Sequence, residues 1–224
     1  MKLACNDNAF CNVCNKWVFT NKRNSDGTVN RYKAHLVSKG FKQVRGVDFS
    51  ETYSSVVKAS TLRIIFSIAV TFGWNIRQID INNVFLNGKL DEEVYTNQPE
   101  GFIEYGTAGM VCRLHKALYG LHQAPRAWFH ELKNQLLNWG FRNAISDSSL
   151  FTLQQGSLFY VLVYVDDIII TGTSSQLIQT FIDRLNKRFA LKDIDDLKMF
   201  LGFEVHRDSS GLYLNQTSYI STLL

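Results

Sequence analysis

The sequence predicts an α+β protein whose sheet is mainly antiparallel and backed by helices. Three observations carry that reading. Short runs of β-branched and aromatic residues are separated by turn signals at hairpin spacing. Longer segments repeat their apolar residues at helical spacing. Strands and helices are mixed without the regular βαβ repeat that a parallel sheet needs.

The elements follow in order. WVFTNKRNSDGTVNRYKAHLV reads as a hairpin, with a strand at Trp17–Thr20, a turn at Asn24–Gly27 and a return at Val29–Val37. In STLRIIFSIAVTFGW, Leu62, Ile65, Phe66, Ala69 and Val70 share a helix face. Ser60 or Thr61 is suited to cap that helix and Gly73 to end it. Asn75–Leu86 reads as a strand, with Ile79 and Ile81 on one face and Gln78, Asp80 and Asn82 on the other. Asn87-Gly88 is a turn signal and EVYTNQ a short returning strand. Pro125 opens a helix to Asn138 with the stripe Trp128, Leu132, Leu136 and Trp139, and Gly140 ends it.

LFTLQQGSLFYVLVYVDDIIITGT supplies three strands, turning at Gln155–Ser157 and at Asp166-Asp167. SSQLIQTFIDRLNKRF is an amphipathic helix with Ile178, Phe181, Ile182, Leu185 and Phe189 inward. MFLGFEV and GLYLNQ give two more short strands. No internal repeat and no Pro/Gly/Ser linker interrupts the pattern.

Composition narrows the class. At 224 residues, 46% hydrophobic and 20% charged, the chain fits one large soluble domain or two small lobes sharing a core. No apolar run is long enough to span a bilayer, so no membrane segment is expected. The N-terminus lacks the basic-then-apolar layout of a secretion signal, which favours an intracellular setting. Formal charge is +4, and the basic residues concentrate between Lys22 and Arg45, where Asp26 is the single acid. Such a face suits a polyanion. Cys5, Cys11 and Cys14 crowd the N-terminus and Cys112 lies far away. C-x2-C can begin a zinc site, but no second pair follows, so free thiols are expected.

The chemistry concentrates in FYVLVYVDDIIITG, where Asp166 and Asp167 stand between two apolar runs. As turn residues they would simply face water. With Asp80, at the end of a polar-faced strand, they could instead converge. Three converging carboxylates stay ionised only beside a cation. Oxygen donors of this kind favour Mg²⁺, and a pair of such ions supports in-line phosphoryl chemistry.

YVDD on a hairpin, with QIDINNVFLNG upstream and YGLHQAPRAWF between, resembles the reverse transcriptase of copia-type LTR retrotransposons. The resemblance runs from about Trp17 to Leu224, through RYKAHLVSKGFKQVRGVDFSETYSSVVK, EEVYTNQPEGF and FLGFEV. It implies the fingers and palm of a right-hand polymerase, with a mainly antiparallel palm sheet and no thumb. It also implies transfer of a nucleotide from dNTP to a primer 3′-hydroxyl on an RNA or DNA template, with two Mg²⁺ or Mn²⁺ ions.

Residue by residue, Asp80 matches the first metal aspartate with the Ile81 carbonyl beside it, Asp166 the bridging ligand, and Asp167 the less demanding third acid. Phe85 matches the aromatic held against the sugar. Arg31 and Lys33 lie on the hairpin that contacts the triphosphate. Gly120 and Pro125 match the segment supporting the templating base and incoming nucleotide. Phe200, Leu201, Gly202 and Phe203 match the primer grip. Lys192 is a weaker match to a proton donor for pyrophosphate.

The pattern breaks in places. His35 stands where the family usually has Arg, Ser55 where it has Pro and Ser148 where it has His. Ile194-Asp195 replaces a usual Leu-Gly. Residues 1–16 read as a poorly ordered leader unlike the family, and 17–224 as a fingers/palm domain truncated at its C-terminus. The resemblance implies a native setting in a larger Pol polyprotein with integrase and RNase H regions, in a cytoplasmic virus-like particle or the nucleus. Two alternatives accompany the polymerase: a remnant that binds nucleic acid without turnover, and a small zinc-binding adaptor.

Overall fold

The computed structural model describes residues 11–24, 26–103, 105–107, 109–208 and 210–223. In chain order the first elements are β1 (Asn15–Arg23), β2 (Val29–Ser38), α1 (Ala59–Thr71), β3 (Ile76–Ile81), β4 (Lys89–Asn97) and β5 (Val111–Lys116). Then come α2 (Ala124–Asn138), β6 (Arg142–Asn143), β7 (Leu150–Gln154), β8 (Leu158–Tyr164) and β9 (Asp167–Gly172). The last are α3 (Ser175–Phe189), β10 (Leu191–Asp196), β11 (Met199–Phe200), β12 (Phe203–Arg207), β13 (Leu212–Asn215) and α4 (Thr217–Leu223). Among the described residues no helix is long and apolar enough to cross a membrane. The chain divides into two compact units, Met1–Ser54 with Phe85–Glu131 and Ser55–Val84 with Leu132–Leu224.

The first unit is built on two antiparallel hairpins, β1–β2 and β4–β5. Its core gathers Val13, Val94, Leu114, Ala117, Leu121 and Ala124, with Phe85 and Leu118 packed against them. Of the expected leader, Met1–Phe10 lies outside the described residues. From Asn12 on, however, the chain is packed into the unit: Val13 is buried, and the Asn15 side chain donates to Thr96 and to the Asn97 carbonyl. Cys5 also falls outside the described residues. Cys11 is exposed, Cys14 half-buried and Cys112 buried, all as free thiols. Burial pushes the Cys112 thiol up from its ordinary range.

The second unit carries a six-stranded antiparallel sheet in the order β10-β3-β9-β8-β7-β6. Leu162 and Ile169 face α1, in a core with Leu62, Ile65, Phe66, Ala69, Leu197 and Phe200. Phe159 faces the other way, its ring 5.2 Å from Phe181 on α3. Both faces are covered, so Val161–Val163 and Ile168–Ile170 read as continuous apolar runs rather than an alternation. β11, β12 and β13 form a separate three-stranded antiparallel sheet. The fold is thus α+β with antiparallel sheets, as the sequence predicts.

Several local expectations need correction. β3 ends at Ile81 rather than Leu86, because its partner β9 begins at Asp167, opposite Asp80. Val84–Asn87 is a 3-10 helix instead. β10 was not expected, since LKDIDD has too few apolar residues to look like a strand, yet its backbone pairs along β3. VCRLHK in β5 was also missed. Finally, α1 has Lys58 at its N-cap, with no side-chain cap of its own, rather than Ser60 or Thr61. The reason is a carboxylate from a distant loop, Asp147, which takes the Lys58 N–H.

Candidate active site

The acidic hairpin turns one residue earlier than the sequence suggests. β8 ends at Tyr164 and β9 begins at Asp167, which leaves Val165-Asp166 as a two-residue turn. Asp167 is therefore a ladder residue, paired with Tyr164 on one side and with Asp80 on the other. Residues directly opposite in a ladder project to the same face, with Cβ atoms about 5 Å apart. Asp80 and Asp167 so face one another, both half-buried, while Asp166 is exposed at the turn. Gln78, two residues before Asp80 on the same face, donates its amide to Asp167 at 2.9 Å.

Val165 has φ +52°. A tight hairpin turn asks for positive φ at its first central residue, a place glycine normally fills. A β-branched side chain there is a genuine outlier and costs about 1–2 kcal/mol. Strain of that kind persists only where the surroundings over-determine the conformation.

The donors around Asp80 and Asp167 are carboxylate oxygens with one neutral amide. Two like charges directly opposite destabilise a ladder, and a hard divalent cation relieves them. The residues present thus fit Mg²⁺ or Mn²⁺ chemically. No three His, Cys, Asp or Glu are drawn together as a ligand set among the described residues. The facing pair is Asp80 with Asp167, where the resemblance points to Asp80 with Asp166.

In the first unit, Arg31 and Lys33 are exposed on one face of the β1–β2 hairpin, which they share with Thr20, Lys22 and His35. His35 is half-buried with its ring 5.7 Å from Tyr119. Burial, and then the neighbouring Lys33, hold its imidazole below the ordinary range. It is therefore neutral near pH 7, unlike the arginine that the resemblance implies for this position. The opposite hairpin face carries Trp17 and Phe19, which with Phe102 line a cavity of about 770 Å³. The Trp17 indole is fixed by its bond to the Glu100 carbonyl.

Phe85 is half-buried, its ring 4.6 Å from Tyr119. Gly120 has φ +92°, and a Cβ there would collide with the Ser38 carbonyl oxygen. Its freedom thus serves the close backbone approach at Ser38, whose N–H donates to Tyr119. Pro125 is the second residue of α2, a position where its missing N–H costs nothing.

In the second unit, Phe200 is buried in the α1 core, with its ring 6.3 Å from Tyr164. Leu201 and Gly202 form the turn beside it, both with positive φ, and Phe203 is half-buried. Of the FLGF segment, then, the Phe200 side chain packs into the core. The side chain of Lys192 falls outside the described residues. Gln78 and Asp147 were both missed. Gln78 could have been found as the polar-face neighbour of Asp80. Asp147 could not, because its backbone donor Lys58 lies 89 residues away in sequence.

Residues 2–224 match the family model described as Reverse transcriptase (RNA-dependent DNA polymerase). The chain is 53% identical over 210 residues to the retrovirus-related Pol polyprotein from transposon RE1 of Arabidopsis thaliana, covering 93% of this chain and 14% of that protein. It is 39% identical over 213 residues to the Pol polyprotein from transposon TNT 1-94 of Nicotiana tabacum, covering 93% and 16%. Against the Ty1-BL Gag-Pol polyprotein of Saccharomyces cerevisiae the identity is 27% over 185 residues, covering 80% and 10%. It therefore spans only a small part of the length of these relatives. With a family match over nearly its whole length, the chain belongs to the reverse transcriptase (RNA-dependent DNA polymerase) family, in its copia-type retrotransposon branch.

Proposed function

We propose that the second unit carries the nucleotidyl-transfer centre of a template-directed DNA polymerase that copies RNA or DNA, the two units corresponding to palm and fingers. The observation that supports this most is the β3–β9 register, which sets Asp80 opposite Asp167 beside the strained Val165-Asp166 turn. Asp80, Asp166 and Asp167 would hold two Mg²⁺ or Mn²⁺ ions, with the Ile81 carbonyl as a further oxygen donor. When bound, such ions acidify a primer 3′-hydroxyl and stabilise charge on departing pyrophosphate.

The chain's own residues do the positioning. Gln78 orients Asp167 through its amide. Arg31 and Lys33 offer exposed cationic donors suited to phosphate oxygens. Phe85, Gly120 and Pro125 would take the sugar-side and template-side roles that the resemblance implies, and Phe200, Leu201, Gly202 and Phe203 the primer-side role. Substrates are accordingly dNTP and a primer–template, and the native setting is a longer Pol polyprotein.

The test is primer extension. Asp166→Asn should cut incorporation by on the order of 10³-fold or more while leaving thermal unfolding unchanged. Retained extension in that variant would overturn the assignment.

A second reading, nucleic-acid binding without turnover, is favoured by the neutral His35. It predicts salt-sensitive binding to primer–template with no incorporation. On the polymerase reading, His35→Arg strengthens substrate binding by about 1–3 kcal/mol, the worth of a charge-assisted bond. Incorporation by the unaltered chain eliminates the second reading.

A further inference from the structure

The loop Ser146–Ser149 joins the start of α1 to the strand that leads into the acidic turn. Asp147 is almost fully buried, and its two oxygens work in opposite directions. Oδ2 accepts the Lys58 N–H at 3.1 Å, capping α1. Oδ1 accepts both the N–H of Ser149 at 2.9 Å and its hydroxyl at 2.6 Å. The Thr61 hydroxyl adds a further bond to Asp147, and Lys58 Nζ donates to the Ser146 carbonyl at 2.7 Å.

Ser149 carries the connection onward. Its carbonyl accepts the N–H of Val163 at 3.0 Å. Val163 pairs with Ile168 in β9, one rung before Tyr164 and Asp167 close the hairpin. β7 begins only at Leu150, opposite Leu162. Ser149 thus adds the last rung on the outer side of β8, although it belongs to no strand itself. On the inner side, β9 is held by β3 up to the Asp80–Asp167 pair.

The same loop is riveted on its other flank. Ser55 and Ser148 share a hydroxyl–hydroxyl bond of 2.6 Å, and the Asn143 amide bonds the carbonyls of Ser148 and Leu150. Both serines are departures from the family pattern. The structure pairs them with one another, so the two changes form one local contact.

A valine at φ +52° relaxes unless both strands of its hairpin are held in register. We propose that Asp147 is a positioning residue for the acidic turn: through Ser149 and the Val163 amide it locks the outer edge of β8 to the N-terminus of α1, holding Asp166 and Asp167 toward Asp80. The cation-binding part of its test rests on the reading of these aspartates given above, but the clasp itself does not.

The experiment compares the unaltered chain with Asp147→Asn and Ser149→Ala. Amide hydrogen exchange is read residue by residue, and Mn²⁺ binding is followed by paramagnetic resonance. Asn can supply one acceptor oxygen but puts an NH₂ against donors, so it should break the clasp while filling the same space. Exchange at Val163 to Ile168 should rise at least tenfold in Asp147→Asn, with Phe159 to Val161 unchanged and Mn²⁺ affinity at least tenfold lower. In primer extension kcat should fall with KM for dNTP unchanged. Ser149→Ala loses the hydroxyl but keeps the carbonyl, so it should show a smaller rise at the same amides; it carries the test if Asp147→Asn does not fold. Unchanged exchange at Val163, or a uniform rise across the whole sheet, overturns the proposal. Mn²⁺ binding to the unaltered chain that is absent, or indifferent to Asp166→Asn, instead removes the catalytic reading and leaves the exchange result to decide the clasp.

Discussion

Two hairpins in this molecule solve the same geometrical problem by different means. The β1–β2 hairpin makes its turn locally. Gly27 takes the positive φ, the Asp26 carboxylate accepts the N–H and hydroxyl of Thr28, and Asn24 bonds the Thr28 hydroxyl and carbonyl. The Thr28 hydroxyl holds the Asp26 carboxyl below the usual carboxylate range. The β8–β9 hairpin turns in two residues, puts valine where glycine belongs and has aspartate next to it. Its support comes from β3 on one side and, through the Ser149 carbonyl, from the Asp147 loop on the other. A self-sufficient turn needs only its own sequence. A strained turn that presents charged groups needs the rest of the unit to hold it.

The largest expected contrast is between the two supporting aspartates. Asp147→Ala strips a cap from α1 and leaves buried donors unsatisfied, which should cost about 3 kcal/mol in urea denaturation. Asp26→Ala, on the exposed hairpin, should leave the midpoint almost where it was. A small effect at Asp147 would break the comparison.

The turns themselves should respond with opposite signs. Val165→Gly relieves about 1–2 kcal/mol of backbone strain but loosens the unfolded chain by roughly 0.5–1 kcal/mol, so thermal stability should rise slightly while primer extension falls. Gly27→Ala forces a Cβ into φ +85° with open space around it, and should cost about 1 kcal/mol. Equal signs in a melting experiment would mean that the two turns are held alike.

The smallest effect is in pH dependence. Burial alone would raise the Asp147 carboxyl, but bonds from Ser149 and Thr61 and from the Ser149 and Lys58 amides outweigh it, leaving the group below its ordinary value. A carboxyl whose folded value is depressed contributes stability above its unfolded value, about 3.9. That contribution should be whole above about pH 4 and disappear as pH falls through the folded value. The stability difference between the unaltered chain and Asp147→Asn, read from denaturation curves, should therefore narrow as pH falls below about 4. Parallel curves would show that the carboxylate's charge is not what the loop uses.

Much of this was legible in the sequence because the signals are local. Period and punctuation placed α1, α2, α3 and the β1–β2 and β8–β9 hairpins, with the inward faces of Ile79 and Ile81 and of Phe181 and Leu185. The expected helix end at Gly73 is where the backbone turns to positive φ. What was missed is non-local. β10 is a polar segment that becomes a strand only because β3 has a free edge. The packing of Phe200 against α1 is likewise set by residues far away in the chain. Ser55 and Ser148 looked like two separate departures until their hydroxyls were found paired.

By itself the sequence determined the antiparallel α+β class, the acidic hairpin and the family to which the chain belongs, because alternation, turn residues and contiguous motifs are properties of neighbours along the chain. Only the tertiary structure decided that Asp167 lies across from Asp80, and that Asp147 closes the far side of the same hairpin. The Asp80–Asp167 pair and the bond that ties Asp147 to Lys58 join residues more than 80 positions apart. Ladder register and buried hydrogen bonding set them, and neither leaves a mark on any short stretch of sequence.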